Sequence, residues 1–181
     1  IGTPYGLGRL KDGKFVNYTV RDGLGNNSVR SIQQGRDGRL WFGTLVGLTS
    51  FSDGRFTTYT TRDGLPNDRI ISLHADGEGS LLIGTAQGLC RLSGRRFTGV
   101  NAENGLSTST ILSLFEDLEG NLWIGTESSG LSLLKDTKFT SYTVRDGLSS
   151  NLVKSIYEDR GGNTWIGTDG GGLNVLRDGR L

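Results

Sequence analysis

The chain has 181 residues, with 20 Lys+Arg against 19 Asp+Glu and a formal net charge of +1. That balance gives no electrostatic basis for gripping nucleic acid or an anionic membrane, and no apolar run approaches the roughly 18 residues needed to insert across a bilayer. One cysteine, Cys90, excludes an intrachain disulfide framework and a multi-cysteine zinc site, and 30 Gly beside 2 Pro point to many tight turns.

The stretch "IGT" (1–3) reads as the end of a strand, with "GLGRL" (6–10) and "KFVNYT" (14–19) as two more, joined by the Asp-Gly hairpin signal "KDGK". From residue 29 the pattern restarts. A first strand carries Ser31 and Gln33, "GRLWFGT" (38–44) is a turn and a second strand, Leu45-Val46 is a loop, Thr49 lies on a third strand, and "RFTTYT" (55–60) is a fourth. The next copy holds "ISLHAD" (71–76), "GSLLIGT" (79–85), the loop Ala86-Gln87, "GLCRL" (88–92) and an outer strand around Phe97. The fourth has Ser113, Phe115, "GNLWIGT" (120–126), the loop Glu127-Ser128-Ser129, Ser132, "KFTSYT" (138–143) and the linker "VRDGLSSN" (144–151). The last reads "LVKSIYED" (152–159), "RGGN", "TWIGT" (164–168), "DGG" and "GLNVL" (172–176). No segment shows a helical period.

These copies keep a strict period. The Gly-Thr pairs begin at Gly2, Gly43, Gly84, Gly125 and Gly167, spaced 41, 41, 41 and 42. Trp41, Trp123 and Trp165 share one slot, which Leu82 fills in the remaining copy. Four short antiparallel strands per unit of about 40 residues, repeated, specify an all-β fold: a β-propeller of four-stranded antiparallel blades, here about four and a third repeats. The expected organisation is a single propeller region over 1–181, with a partial blade at 1–28, blades at 29–69, 70–110 and 111–151, and a partial blade at 152–181. A chain that opens inside a repeat is expected to be a fragment of a larger ring. Its unpaired strand edges would favour association with other propeller blades or a second chain.

Each recurring residue has a mechanical reading. The Trp fills the wedge between neighbouring blades, and the Phe and Tyr of the outer strand do so further out. The "IGT" glycine marks the close approach of another backbone or of an aromatic ring, and the first-strand Ser is small where blades converge. The Asp of "DGL" caps its own turn by an Asx bond, its Gly takes positive φ, and its Leu plugs the blade junction.

With the unit laid out, residues 139–176, "FTSYTVRDGLSSNLVKSIYEDRGGNTWIGTDGGGLNVL", resemble the two-component regulator propeller repeat: an F-T-x-Y-T strand, a D-G-L-x-x-N linker, an S-I-x-E-D strand and a G-N-L-W-I-G-T hairpin. The copy at about 70–110 departs most, with Leu82, Ala75, Asn104 and Val100 in place of Trp, Glu, Asp and Tyr. The resemblance implies a periplasmic or extracytoplasmic sensor region of a bacterial membrane-bound signalling protein, often a sensor of carbohydrate, usually with about seven blades per ring and a histidine kinase or other output beyond the membrane.

Reactive residues are sparse. His74 has Gln33, Phe115 and Tyr157 as equivalents and no second His beside it, so it reads as a packing or channel-rim residue. Cys90 reads as a structural thiol. The pairs Glu116-Asp117 and Glu158-Asp159 suggest the two carboxylates of a glycosidase, but a catalytic pair is needed once and a hairpin cap in every blade. The "DG" pairs lack calcium-loop spacing. No catalytic residue, metal site or cofactor is expected.

The ligand-binding candidates lie on the loops after each "GT" and on the strand-four linkers: Arg21, Arg62, Arg145, Gln87, Glu127 and Asp169. Glu103 breaks the Arg series. Loops on a rigid scaffold carry function, and a row of Arg suits a carboxylate or a sulfated or uronic sugar. The expected function is non-enzymatic sensing of a small ligand, possible carbohydrate included. Alternatives are an interaction or dimerisation scaffold and, less favoured, a propeller enzyme such as a polysaccharide lyase or hydrolase.

Overall fold

A computed structural model describes residues 1–100, 106, 110–177 and 179–181. The chain divides into two compact units, Ile1–Gly99 and Val100–Leu181. In the first unit, β1 (Gly2–Thr3), β2 (Gly6–Lys11) and β3 (Lys14–Tyr18) form one sheet, and β4 (Val29–Gln34), β5 (Leu40–Thr44), β6 (Gly47–Ser52) and β7 (Arg55–Tyr59) form the next. A third sheet comprises β8 (Ile70–Ala75), β9 (Leu81–Thr85), β10 (Gly88–Ser93) and β11 (Arg96–Val100), whose last residue crosses the boundary. The second unit holds β12 (Ile111–Glu116), β13 (Leu122–Thr126), β14 (Leu131–Lys135) and β15 (Lys138–Tyr142), then β16 (Val153–Glu158), β17 (Thr164–Thr168) and β18 (Gly172–Leu176). Neighbouring strands are antiparallel and follow chain order, so these are propeller blades of an all-β fold. The outer hairpins turn as the Asp-Gly signal requires: Asp53 and Gly54 both take positive φ, 52° and 75°, between the paired ends Ser52 and Arg55.

The wedge role is observed for Trp41 and Trp123; Trp165, in the last sheet, joins no such cluster among the described residues. Trp41, 6% exposed, packs on Ile70, Leu81, Ile83 and Leu92 of the following sheet and on Leu65 of the intervening linker. In the second unit Trp123 meets Leu148, Val153, Ile166 and Leu176 in the same way. Outer-strand aromatics continue the seam: Tyr18 meets Phe56 and Tyr59 meets Phe97, each with ring centroids 5.7 Å apart.

The "IGT" glycines sit at a close approach, and the approaching group is aliphatic rather than aromatic. A β-carbon on Gly43 would stand 2.8 Å from Ile70 Cγ2, and one on Gly125 would stand 2.7 Å from Val153 Cγ1 and 2.9 Å from the Val153 carbonyl oxygen. Gly2 meets Val29 in the same manner, at 2.8 Å. In each case the residue is the first of the next sheet's inner strand. The recurring serines differ from expectation: Ser31, Ser113 and Ser155 lie directly opposite Gly43, Gly125 and Gly167 of their own sheets, beside a register bulge. Their hydroxyls crowd the space over those glycines. The small pair therefore thins the sheet itself.

The linkers are also corrected. The three linkers among the described residues are each a single 3-10 turn, Val20–Asp22, Thr61–Asp63 and Val144–Asp146, closed by a capping box. The Asp22 carboxylate reaches back to accept the Thr19 N–H at 2.8 Å and its hydroxyl at 3.0 Å, rather than forward in an Asx turn. Thr60 with Asp63 and Thr143 with Asp146 repeat this. Leu24, Leu65 and Leu148 follow, buried in the inter-sheet clusters as plugs.

The sheet without a tryptophan keeps the anchor by another route. In β13 and β17 the indole Nε1 donates to Asp117 and to Asp159 at 2.8 Å. Leu82 cannot, and Arg91, directly across the strand pair from it, donates to Asp76 at 2.9 Å and to Glu78 at 2.6 Å.

Two stability experiments follow from this packing. Gly43→Ala should lower the unfolding free energy in urea by about 1–3 kcal/mol, because the methyl meets a packed side chain. Gly99→Ala, at a position with no atom within 4 Å of the added carbon, should change it by less than about 0.5 kcal/mol. Arg91→Leu should cost about 1–3 kcal/mol by leaving the Asp76 carboxylate without its cation. Adding Leu82→Trp to that background should recover part of the loss, since it recreates the pair seen at Trp123 and Leu133.

Candidate functional site

The loop after each "GT" is fastened by its threonine. The Thr44 hydroxyl donates to the Gly47 carbonyl at 2.8 Å and accepts the Val46 N–H at 3.1 Å. Thr85 does the same for Gly88 and Gln87, and Thr126 for Gly130 and Ser129. The residue after each loop then donates to the following linker: Gly47 to the Asp68 carbonyl at 2.6 Å and Gly130 to the Asn151 carbonyl at 2.9 Å. Loop and linker therefore share one end of each blade. Thr44, Thr85 and Thr126 are fully buried. Their repetition was the available signal for this role, although the sequence reading assigned them none.

The candidates divide between the units. Arg21 and Arg62 occupy the middle of successive 3-10 turns in the first unit, and Arg145 occupies the equivalent turn in the second. Each is exposed, while its backbone N–H is held by the capping threonine at 3.3 Å. The guanidinium thus projects from a fixed base, and the adjacent aspartate is spent on the cap. The Asp146 carboxyl is held below the ordinary aspartate range by the Thr143 hydroxyl and N–H. Glu103 lies outside the described residues. Gln87 and Glu127 are exposed at loop tips. Asp169 is not free: it pairs with Lys154 at 2.6 Å, a contact between the two inner strands' ends that spacing alone does not reveal.

Residues 23–45, 105–128 and 147–170 match the two component regulator propeller family. The match covers one segment in each of three repeats. Among solved structures, the extracellular domain of a hybrid two component system from B. thetaiotaomicron is similar to these repeats with 28% identity and a TM-score of 0.80 over 96% of this chain. A second such extracellular domain from the same organism gives 26% identity and a TM-score of 0.82 over 97%. The chain spans about a quarter of the length of each, 24% and 25%. Virginiamycin B lyase from Staphylococcus aureus shares the fold, with a TM-score of 0.78 and 15% identity over 98% of this chain and 61% of its own. No curated protein matches.

The remaining reactive groups of the propeller repeats are bound into the scaffold. Asp117 accepts the Glu119 and Asn121 N–H groups, the Asn121 amide and the Trp123 indole. Asp159 makes the same set with Gly161, Asn163 and Trp165. These are the expected hairpin caps, but not in every blade: Gly35 holds the equivalent position in the sheet β4–β7. Cys90 is buried, and burial pushes its thiol up to about 11, which removes the thiolate a nucleophile requires. His74 is half-buried opposite Leu82. Among the described residues no three His, Cys, Asp or Glu side chains converge as a metal site.

Asn163, then Trp165, hold the Asp159 carboxyl far below its ordinary value. Its folded-state pKa is lower than its unfolded one, so its stabilising contribution is complete above about pH 4 and is lost as acid protonates it. Thermal midpoints followed by circular dichroism should fall from about pH 5 to about pH 2. Asp159→Asn, which cannot titrate, should begin lower at neutral pH and fall less steeply.

Proposed function

We propose that this chain is part of the extracytoplasmic sensory region of a two-component signalling protein and that its loop-and-linker face binds a ligand, an oligosaccharide foremost. The observation that carries the reading is the alignment of nearly the whole chain with extracellular domains of such systems at 26–28% identity. The geometry suits it. The loop tips differ from blade to blade on fastened backbones, and each arginine stands on a capped turn where a guanidinium can grip a carboxylate or sulfate. No helix among the described residues is long and apolar enough to cross a membrane. In this reading the ligand favours one packing of sensor subunits over another, and that differential affinity passes to the output domain.

The chain itself performs no chemistry in this reading. The aspartates of the possible glycosidase pairs, Asp117 and Asp159, cap hairpins, Glu158 accepts the Leu118 N–H, and the lyase likeness extends to the fold alone. A second reading, an interaction or dimerisation scaffold, draws on the apolar strip of Leu10, Phe15 and Val16, which are 58%, 61% and 48% exposed.

The test is a glycan-binding screen of the protein beside a variant with Arg21, Arg62 and Arg145 all changed to Ala. The expected result is binding that falls at least about tenfold in the variant. Binding unchanged by the three substitutions would sink the arginine assignment. Absence of glycan binding with concentration-dependent sedimentation would favour the scaffold.

A further inference from the structure

A different surface of the first unit departs from the repeat. At the end of the blades away from the "GT" loops, between the sheet β4–β7 and the sheet β8–β11, lies a polar cleft of about 680 Å³. A smaller hollow of about 340 Å³ shares Arg39, Thr57, Tyr59 and Arg95 with it and reaches down to Trp41.

Two departures from the repeat make this cleft. Ser50 stands opposite Trp41, where Leu133 stands opposite Trp123 in the second unit. Leu133 packs against the tryptophan's cluster. Ser50 is too small to do so, and its hydroxyl turns to the Thr57 carbonyl at 3.5 Å. The outer turn of β10 and β11 reads Ser-Gly-Arg-Arg, where the others read Lys-Asp-Gly-Lys, Ser-Asp-Gly-Arg, Lys-Asp-Thr-Lys and Arg-Asp-Gly-Arg. The acid is lost there and Arg95 is gained.

The result is a concentration of arginine beside an aromatic wall. Arg39, Arg55 and Arg95 come from three separate turns. Of the two acids present, Asp37 is 3.8 Å from Arg39 and Asp53 accepts the Ser52 hydroxyl at 2.8 Å. Arg39 rests 5.6 Å above the Trp41 ring, and Tyr59 lies 5.9 Å from that ring. Ser50, Ser52 and Thr57 add hydroxyls to the walls.

We propose that this cleft binds an acidic sugar, a pyranose carrying a carboxylate or a sulfate. The guanidinium groups match the anion's planar or trigonal oxygens, the Tyr59 ring offers a face for the sugar's C–H surface, and the hydroxyls meet its own. The volume lies in the range of small-ligand sites and holds one or two rings. The site is independent of the loop face, because its turns lie at the opposite ends of the strands.

The experiment is a ¹⁵N NMR titration of the chain with glucuronate, glucose 6-sulfate, neutral glucose and sodium sulfate, following the Trp41 indole N–H. A Trp41→Phe sample assigns that resonance. Both acidic sugars should shift it saturably, glucose at least about tenfold more weakly. Arg55 and Arg95 are exposed, so Arg55→Ala with Arg95→Ala should leave the thermal midpoint unchanged and weaken the acidic sugars at least about tenfold. The triple Arg21, Arg62 and Arg145 variant should keep the full response, which separates this site from the loop face. The proposal fails if no sugar shifts the resonance or if glucose matches the acids. It also fails if sodium sulfate alone reproduces the saturation, if the double variant binds as before, or if the triple variant loses the signal.

Discussion

The structure depends on one missing side chain. At the glycine of each "IGT" the inner strands are thin enough for the first residue of the next inner strand, Val29, Ile70 or Val153, to press against bare backbone. That contact sets how closely one sheet follows another within each unit. The rest of the wedge is graded outward from it: a tryptophan and a linker leucine in the middle, and a Tyr–Phe contact near the rim. A wedge must widen with distance from its apex, and a bare glycine at the inner strands gives way to aromatic rings further out.

Much of this was legible in the sequence because repetition isolates what every copy needs. The period placed the strands, the Asp-Gly pairs placed the outer turns, and the shared tryptophan slot identified the wedge. What stayed hidden involves partners that pattern cannot pair. The Asp22 carboxylate goes back to Thr19 because the linker is tight enough to wind a 3-10 turn, and a "DGL" string does not encode that direction. Arg91 takes over the indole's bond to Asp76 from the opposite strand, nine residues after Leu82, a substitution visible only once the register is known. Asp169 was a plausible free loop acid until Lys154 proved to reach it. The cleft beside Trp41 is lined by Ser50 and Arg95, whose nearness across two sheets no repeat pattern encodes.

Function in such a chain separates from repetition. The hydrogen bonds of Thr44, Thr85 and Thr126, and the caps of Asp117 and Asp159, are spent on fixing backbone. Exposed polar groups that differ from copy to copy stand at Gln87 and Glu127 in the loops and at Arg95 in an outer turn. A regular scaffold thus presents its irregular residues at predictable heights.

The capping boxes have a consequence for how the protein forms. Each blade-to-blade connection among the described residues is closed by atoms three residues apart, and the hairpins join strands in chain order, so nearly every contact that defines a sheet is close in sequence. Closing such short loops costs little entropy. A sheet can therefore assemble as it emerges from the ribosome and then serve as the template on which the next one packs, which makes the chain a structure built by accretion rather than by a single global collapse.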